Sequence, residues 1–305
     1  MLARLQRAVV LSLAVAAAVW AIAFVLAGLP LLAMIGAGAI TFGYAVVLGV
    51  EFALMRAINR DDPAPPASAS QLLRAWWSES VLAVRVFGWR QPFRANAVAD
   101  WLPVSCNPSP RRAVLLVHGF VCNRAFWNPW MRRLRREDVP YLAVNLEPVF
   151  GSIDDYADIV EEAVQRSTAA TGLAPVIVAH SMGGLAVRAW SARYSGEARV
   201  ERIVTIGTPH RGTWLGRFAS TPNGRQMRLG AAWQGGLRSD GSTRYTCFYS
   251  HCDNIVFPCS NATLPGADNR HLYGRAHVEL AFQPEVIDEA LRWASIDRAP
   301  SAGRA

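Results

Sequence analysis

The strongest chemical signal in the chain is Ala179-His180-Ser181-Met182-Gly183-Gly184. It follows a short apolar run, Pro175–Ala179, and opens a segment of helical character, Gly184–Tyr194. A serine on a sharp strand-to-helix turn presents its hydroxyl at the end of a sheet, where it can act as a nucleophile. Such a turn is strained, so its neighbours must be small. Ala179 stands where glycine is commonest, and Gly183 lets the helix and strand approach closely. The Met182 N–H, at a helix start, can point at a developing oxyanion. A serine that merely caps the helix is the structural alternative.

A second oxyanion donor is suggested by His118-Gly119-Phe120, directly after the apolar run Ala113–Val117. The loop after such a strand faces the nucleophile at the carboxyl ends of a parallel sheet, which makes the Phe120 N–H the candidate. His118 reads as a hydrogen-bonded framework residue. A serine nucleophile also needs a base, and the base needs an orienting acid. In a strand–turn–helix site of this type the chain order is serine, acid, histidine. Of the six histidines, His118 and His180 come too early, and His210 sits in an ordered turn, Thr208-Pro209-His210-Arg211-Gly212-Thr213. His251 and His271 fall at or near strands. His277 lies after the last expected strand and before the last helix, where the base belongs. Asp253, just past the fifth strand, is the preferred acid; Asp240 before that strand and Asp268 in the next loop are the alternatives.

These side chains need a scaffold, and the pattern supplies one. Short continuous apolar runs at Ala113–Val117, Tyr141–Leu146, Pro175–Ala179, Arg202–Ile206 and Tyr245–Tyr249 predict buried parallel strands, with a sixth near His271–Tyr273. Helices are expected over Ala125–Arg136, Ile153–Ala170 with Ser152 as cap, Gly184–Tyr194 and Pro284–Trp293. The fold class is therefore α/β, a mostly parallel sheet with helices on both faces. Residues 213–243 break the rhythm and read as a lid or substrate-contact insertion.

From about Arg111 to Trp293 the chain resembles the α/β-hydrolases, close to the small bacterial triacylglycerol lipases. The resemblance rests on His118-Gly119-Phe120, the Ala-x-Ser-x-Gly elbow, Thr208-Pro209-His210-x-Gly212-Thr213, Asp253 before Ile255-Val256, and His277 near the end. It implies Ser181 as nucleophile, His277 as general base, Asp253 as its orienter, and the Phe120 and Met182 amides as oxyanion hole. The expected activity is hydrolysis of lipid-like acyl esters through an acyl-enzyme, with no metal and no cofactor. An acyltransferase or thioesterase would use the same triad, and a non-catalytic membrane-tethered scaffold is the reading of a different class. Phe126, Trp127 and Trp130, after the oxyanion loop, could line an acyl pocket or pack in the core; Trp214, in the insertion, is a further substrate-contact candidate.

The N-terminal region falls outside that resemblance. Ala8–Val50 carries no charged residue, a run about 64 Å long as a helix against a hydrocarbon core of about 30 Å. Two spans fit, about 8–28 and 31–54, broken at Gly28-Leu29-Pro30. Gly36, Gly38, Gly43 and Gly49 would let the second helix approach a neighbour. The run is too long for a cleaved signal. Arg4, Arg7, Arg56 and Arg60 flank the pair, so both ends, and the domain downstream, are expected on the cytoplasmic face of a bacterial-type inner membrane. Residues 61–70 read as a linker and 71–94 as a Trp- and Arg-rich segment, lying at the interface or packing on the soluble domain. Residues 299–305 are expected to be a disordered tail.

Of 305 residues, 52% are hydrophobic and 18% charged, which excludes disorder for most of the chain. The net charge is +8, all 31 basic residues are Arg, and eight Arg oppose only four acids up to Arg94. That excess flanks an apolar block, which suits a membrane surface and not a nucleic-acid partner. Five cysteines leave at least one unpaired; Cys252 and Cys259 could form a local disulfide, with buried thiols as the alternative. Neither the cysteine nor the histidine spacing matches a zinc site.

Overall fold

The computed structural model describes residues 1–103, 111–237 and 242–296. Its first two elements are α1 (Leu2–Leu26) and α2 (Pro30–Ile58), an antiparallel pair turned at Gly28, whose φ of +75° favours glycine. Pro30 opens α2, where its missing N–H costs nothing. Both helices are long and apolar enough to cross a membrane. Gly36 accepts the Trp20 indole so closely that a Cβ there would lie 1.9 Å from it. Gly38 and Gly43 face no neighbour, so only part of the expected glycine contact exists.

The segment expected as a linker is docked. After the 3-10 turn Asn59–Asp61, the Asp62 carboxylate accepts the Ser260 N–H at 3.0 Å and faces the Cys259 thiol at 3.3 Å. The helix α3 (Ala69–Ala83) is capped by Ser68, whose Oγ accepts the Gln71 N–H, and runs through a π-helical stretch, Val84–Arg90, into α4 (Gln91–Phe93). It buries Ala75, Glu79 and Ser80 against α2 and the C-terminal part of the chain and leaves Leu73, Trp77 and Trp89 exposed.

Six parallel strands follow: β1 (Val114–Val117), β2 (Tyr141–Ala143), β3 (Val176–His180), β4 (Arg202–Ile206), β5 (Tyr245–Tyr249) and β6 (Asp268–His271), in the order β2-β1-β3-β4-β5-β6. Their alternation divides the core. Leu115, Val117, Ile177 and Ile203 face α6 (Tyr156–Thr171) and α7 (Met182–Tyr194). Val114, Leu116, Val178 and Val204 face α5 (Asn128–Arg136), α10 (His277–Leu280) and α11 (Pro284–Ala294). Between β4 and β5 lie the 3-10 turn Trp214–Phe218 and the short helices α8 (Pro222–Gln226) and α9 (Ala232–Gly235).

Three expectations are corrected here. The second strand stops at Ala143, because its pairing with β1 ends there and the Leu146 N–H turns aside to the His118 ring. Asp268 is not a loop residue: it opposes Thr246 in β6. Phe126, Trp127 and Trp130 are fully buried in the α5-side core, so none presents a surface to substrate. Trp130 also donates its indole N–H to the Ala281 carbonyl at 2.6 Å. We expect Trp130→Ala to destabilise the fold by about 3–5 kcal/mol, read as a lower Tm, with KM unchanged in the folded protein; a raised KM without loss of stability would restore the pocket assignment.

Candidate active site

The serine turn is built as strained geometry. Ser181 has φ +56° and ψ −130°, a conformation that L residues occupy rarely and that clusters at active sites. It is held because β3 ends at His180, the Ser181 N–H is bonded to the Ile206 carbonyl, and α7 starts at Met182. Gly183 packs on the end of β1, where a Cβ would lie 2.5 Å from the His118 carbonyl oxygen. Ser181 is 7% exposed.

Asp253 and His277 are brought together. Their side chains meet at 2.9 Å, Nδ1 to Oδ2, with both residues buried. The other Asp253 oxygen, Oδ1, accepts the N–H groups of Ile255 and Val256 at 2.9 and 2.8 Å, which fixes the carboxylate. Gly207 leaves the room for this pair, since a Cβ there would fall 2.8 Å from Asp253 Oδ2. Burial pulls the His277 imidazole down, but Asp253, by charge and hydrogen bond, and Glu79, by charge, outweigh it and hold His277 above its ordinary value. His277 reaches the elbow through His180: the two rings lie 4.6 Å apart, and His180 Nε2 is 3.1 Å from the His277 carbonyl oxygen. No Ser181–His277 side-chain hydrogen bond occurs among the described residues.

The other candidates separate cleanly. His118 bonds through both ring nitrogens, to the Gly119 carbonyl and the Leu146 N–H, and burial lowers it to about 4, so it is neutral framework. His210 is buried against the Thr205 hydroxyl. Asp268 is paired with Arg270 at 2.6 Å and does not approach His277. Asp240 and Cys106 lie outside the described residues. Cys122, Cys247, Cys252 and Cys259 are free, buried thiols, so no Cys252–Cys259 disulfide forms. The Phe120 and Met182 N–H groups have no partner among the described residues. Phe120 packs edge-on to Phe150, which is 40% exposed. Trp214 lines a cavity of about 230 Å³ with Arg217, Arg228 and Leu229, which contains neither Ser181 nor His277. No group of three or more metal-ligating side chains occurs among the described residues.

Residues 114–300 match the alpha/beta hydrolase family. The chain belongs to that family. Among curated proteins a sequence search finds no match. Among solved structures, this hydrolase is similar to the mature form of a Bacillus licheniformis lipase, with TM-score 0.55 and 16% identity over 63% of this chain and 96% of that one. It is also similar to the propeptide form of that lipase, with TM-score 0.54 and 17% identity over 68% of this chain and 55% of that one. Lipase B of Aspergillus fumigatus gives TM-score 0.51 and 18% identity over 63% and 55%. The hydrolase thus spans about half the length of the latter two, and at these identities the likeness is one of fold.

Sequence reasoning did not find Glu79, Glu51 or Asn254. Glu51 is 2.7 Å from the Asn254 amide, and Glu79 accepts main-chain N–H groups next to His277. A signal existed: Glu51 is the first acid in the chain and Glu79 the lone acid between Asp62 and Asp100. Acids isolated in apolar or basic surroundings are costly unless they have partners.

Proposed function

We propose that the protein is a membrane-anchored serine hydrolase of carboxylic esters with lipid-like acyl groups. In this reading the Ser181 hydroxyl attacks the acyl carbonyl carbon while His277 Nε2 takes its proton. The carbonyl oxygen becomes an oxyanion, received by the Phe120 and Met182 N–H groups. Collapse expels the alcohol, which takes the proton from His277 and leaves an acyl-enzyme on Ser181. A water molecule, deprotonated by His277, then releases the acid and restores the serine. The observation that carries the reading is the buried Asp253–His277 pair beside the strained Ser181 turn.

The anchor is read from α1 and α2, and by the positive-inside rule the flanking Arg4, Arg7, Arg56 and Arg60 support a cytoplasmic catalytic domain. A C-terminal reporter that is active only in the cytoplasm is the expected result; an active periplasmic reporter would reject the two-span topology. The chemistry is tested with a fluorophosphonate probe on detergent-solubilised protein. Labelling that disappears in Ser181→Ala is expected, whereas a well-folded protein that never labels would be a scaffold. A panel of esters of graded acyl length, with and without micelles, then defines the substrate.

A further inference from the structure

We propose that Glu79 on α3 and Glu51 on α2 are positioning residues for His277, so that the membrane-proximal segment is a working part of the catalytic site. The inference rests on the reading of His277 as general base.

His277 is the first residue of α10, a helix of four residues with no side-chain cap. The first N–H groups of a helix have no partner inside it. Here they are engaged from far away in the chain. The Val278 N–H is 3.0 and 3.2 Å from the two Glu79 carboxylate oxygens, and the Glu279 N–H is 3.3 Å from Oε2. The His277 N–H donates to Asn254 Oδ1 at 3.3 Å, and Asn254 donates through its amide to Glu51 at 2.7 Å. Of three consecutive main-chain groups beginning at the proposed base, two are therefore held directly by Glu79 and the first by Asn254, which is itself bonded to Glu51; both carboxylates precede the family-matching region.

The packing follows the same line. Phe52 and Met55 of α2 and Ala75 of α3 form one buried cluster with Cys252, Phe257 and Ala276, residues that flank Asp253 and His277. Arg74 and Arg275 pair with Glu279, at 2.7 and 2.8 Å, and not with Glu79. Glu79 is 3% exposed and has no cationic partner among the described residues, an arrangement that a purely structural helix cap would not need. Burial, set against its main-chain bonds and the charge of His277, raises Glu79 to about 7. The ionisable groups facing His277 are Asp253, Glu79 and Glu51, with His180 opposing them. Loss of a facing negative charge leaves the imidazolium less favoured, so the base is freed at lower pH.

The test uses the full chain in detergent micelles, with Glu79→Gln as the first variant and Glu51→Gln as the second. Active sites are counted by fluorophosphonate titration, and kcat, KM and the acid limb of kcat/KM are measured on that count. For Glu79→Gln the expected result is a fall of about 10- to 100-fold in kcat per active site, since small misplacements of catalytic groups cost that much. KM should hold within about twofold, and the acid limb should move to lower pH, as that charge argument requires. Glu51→Gln should do the same more weakly, because it acts through Asn254. An unchanged kcat and acid limb in folded Glu79→Gln would overturn the inference; if that variant does not fold, Glu51→Gln decides by the same readouts. Wild-type protein that fails to label would instead reject the underlying mechanism, so the two failures are distinguishable.

Discussion

Replacing Ser181 with alanine is expected to lower kcat for a soluble ester by about 10⁶-fold, with folding intact. The residue directly follows β3, and among the described residues its side chain makes no cap hydrogen bond to α7. Alanine keeps the main-chain N–H bond to Ile206 and removes only the proposed nucleophile. His277→Ala should cost about as much, because an unassisted hydroxyl is a poor nucleophile at neutral pH. The double variant should be no worse than either single one, since residues that act as one unit are strongly non-additive. Residual rate above that in water would come from the Phe120 and Met182 N–H groups. Steady-state kinetics on variants matched for Tm make the measurement. Either single variant retaining more than about a hundredth of wild-type kcat would remove that residue from the chemistry.

Asp253→Asn should lower kcat by about 10⁴-fold while the geometry persists. The cause can be followed atom by atom. Oδ1 of Asp253 accepts two main-chain N–H groups, so an asparagine must keep its carbonyl oxygen there. Its NH₂ group then faces His277 Nδ1, where Oδ2 stood at 2.9 Å. A donor facing Nδ1 moves the ring proton to Nε2, and a protonated Nε2 cannot take the serine proton. In the wild type Asp253 and the nearby carboxylates hold His277 above its ordinary value, so the proposed base would be lost as pH falls through that raised value. With the Asp253 charge gone, that acid limb should move to lower pH. A kcat/KM–pH profile of Asp253→Asn that kept both the wild-type plateau and the wild-type limb would assign the orienting role elsewhere.

The sheet was legible because its strands are short, continuous and apolar, and because parallel strands buried on both faces need that composition. The strained turn at Ser181 was legible through local context, since strand, small residues and helix lie within one stretch of chain. The Asp253–His277 contact followed from chain order, which ranked these two above Asp268 and the other histidines. The aromatic residues after β1 were not resolved in the same way: Phe126, Trp127 and Trp130 have the same sequence pattern whether they line a pocket or fill a core. Glu79 escaped notice for a different reason. It meets the Val278 N–H across 199 residues, and a main-chain donor carries no side-chain signature.

The hairpin is fastened at both ends, and this limits how the site can meet its substrate. Near its start, Gln6 donates to the Val121 carbonyl beside Phe120 and Arg7 donates to the Pro92 carbonyl; near its finish, Asn59 bridges His251 and Cys259. A domain gripped in this way does not swing on a leash. With α1 and α2 crossing a bilayer as proposed, the site would be held at one height above the headgroups, and an amphiphile would reach it by sliding sideways within the leaflet. Turnover would then follow the number of ester molecules per unit of lipid area, and diluting them with inert amphiphile would slow the enzyme at constant bulk concentration.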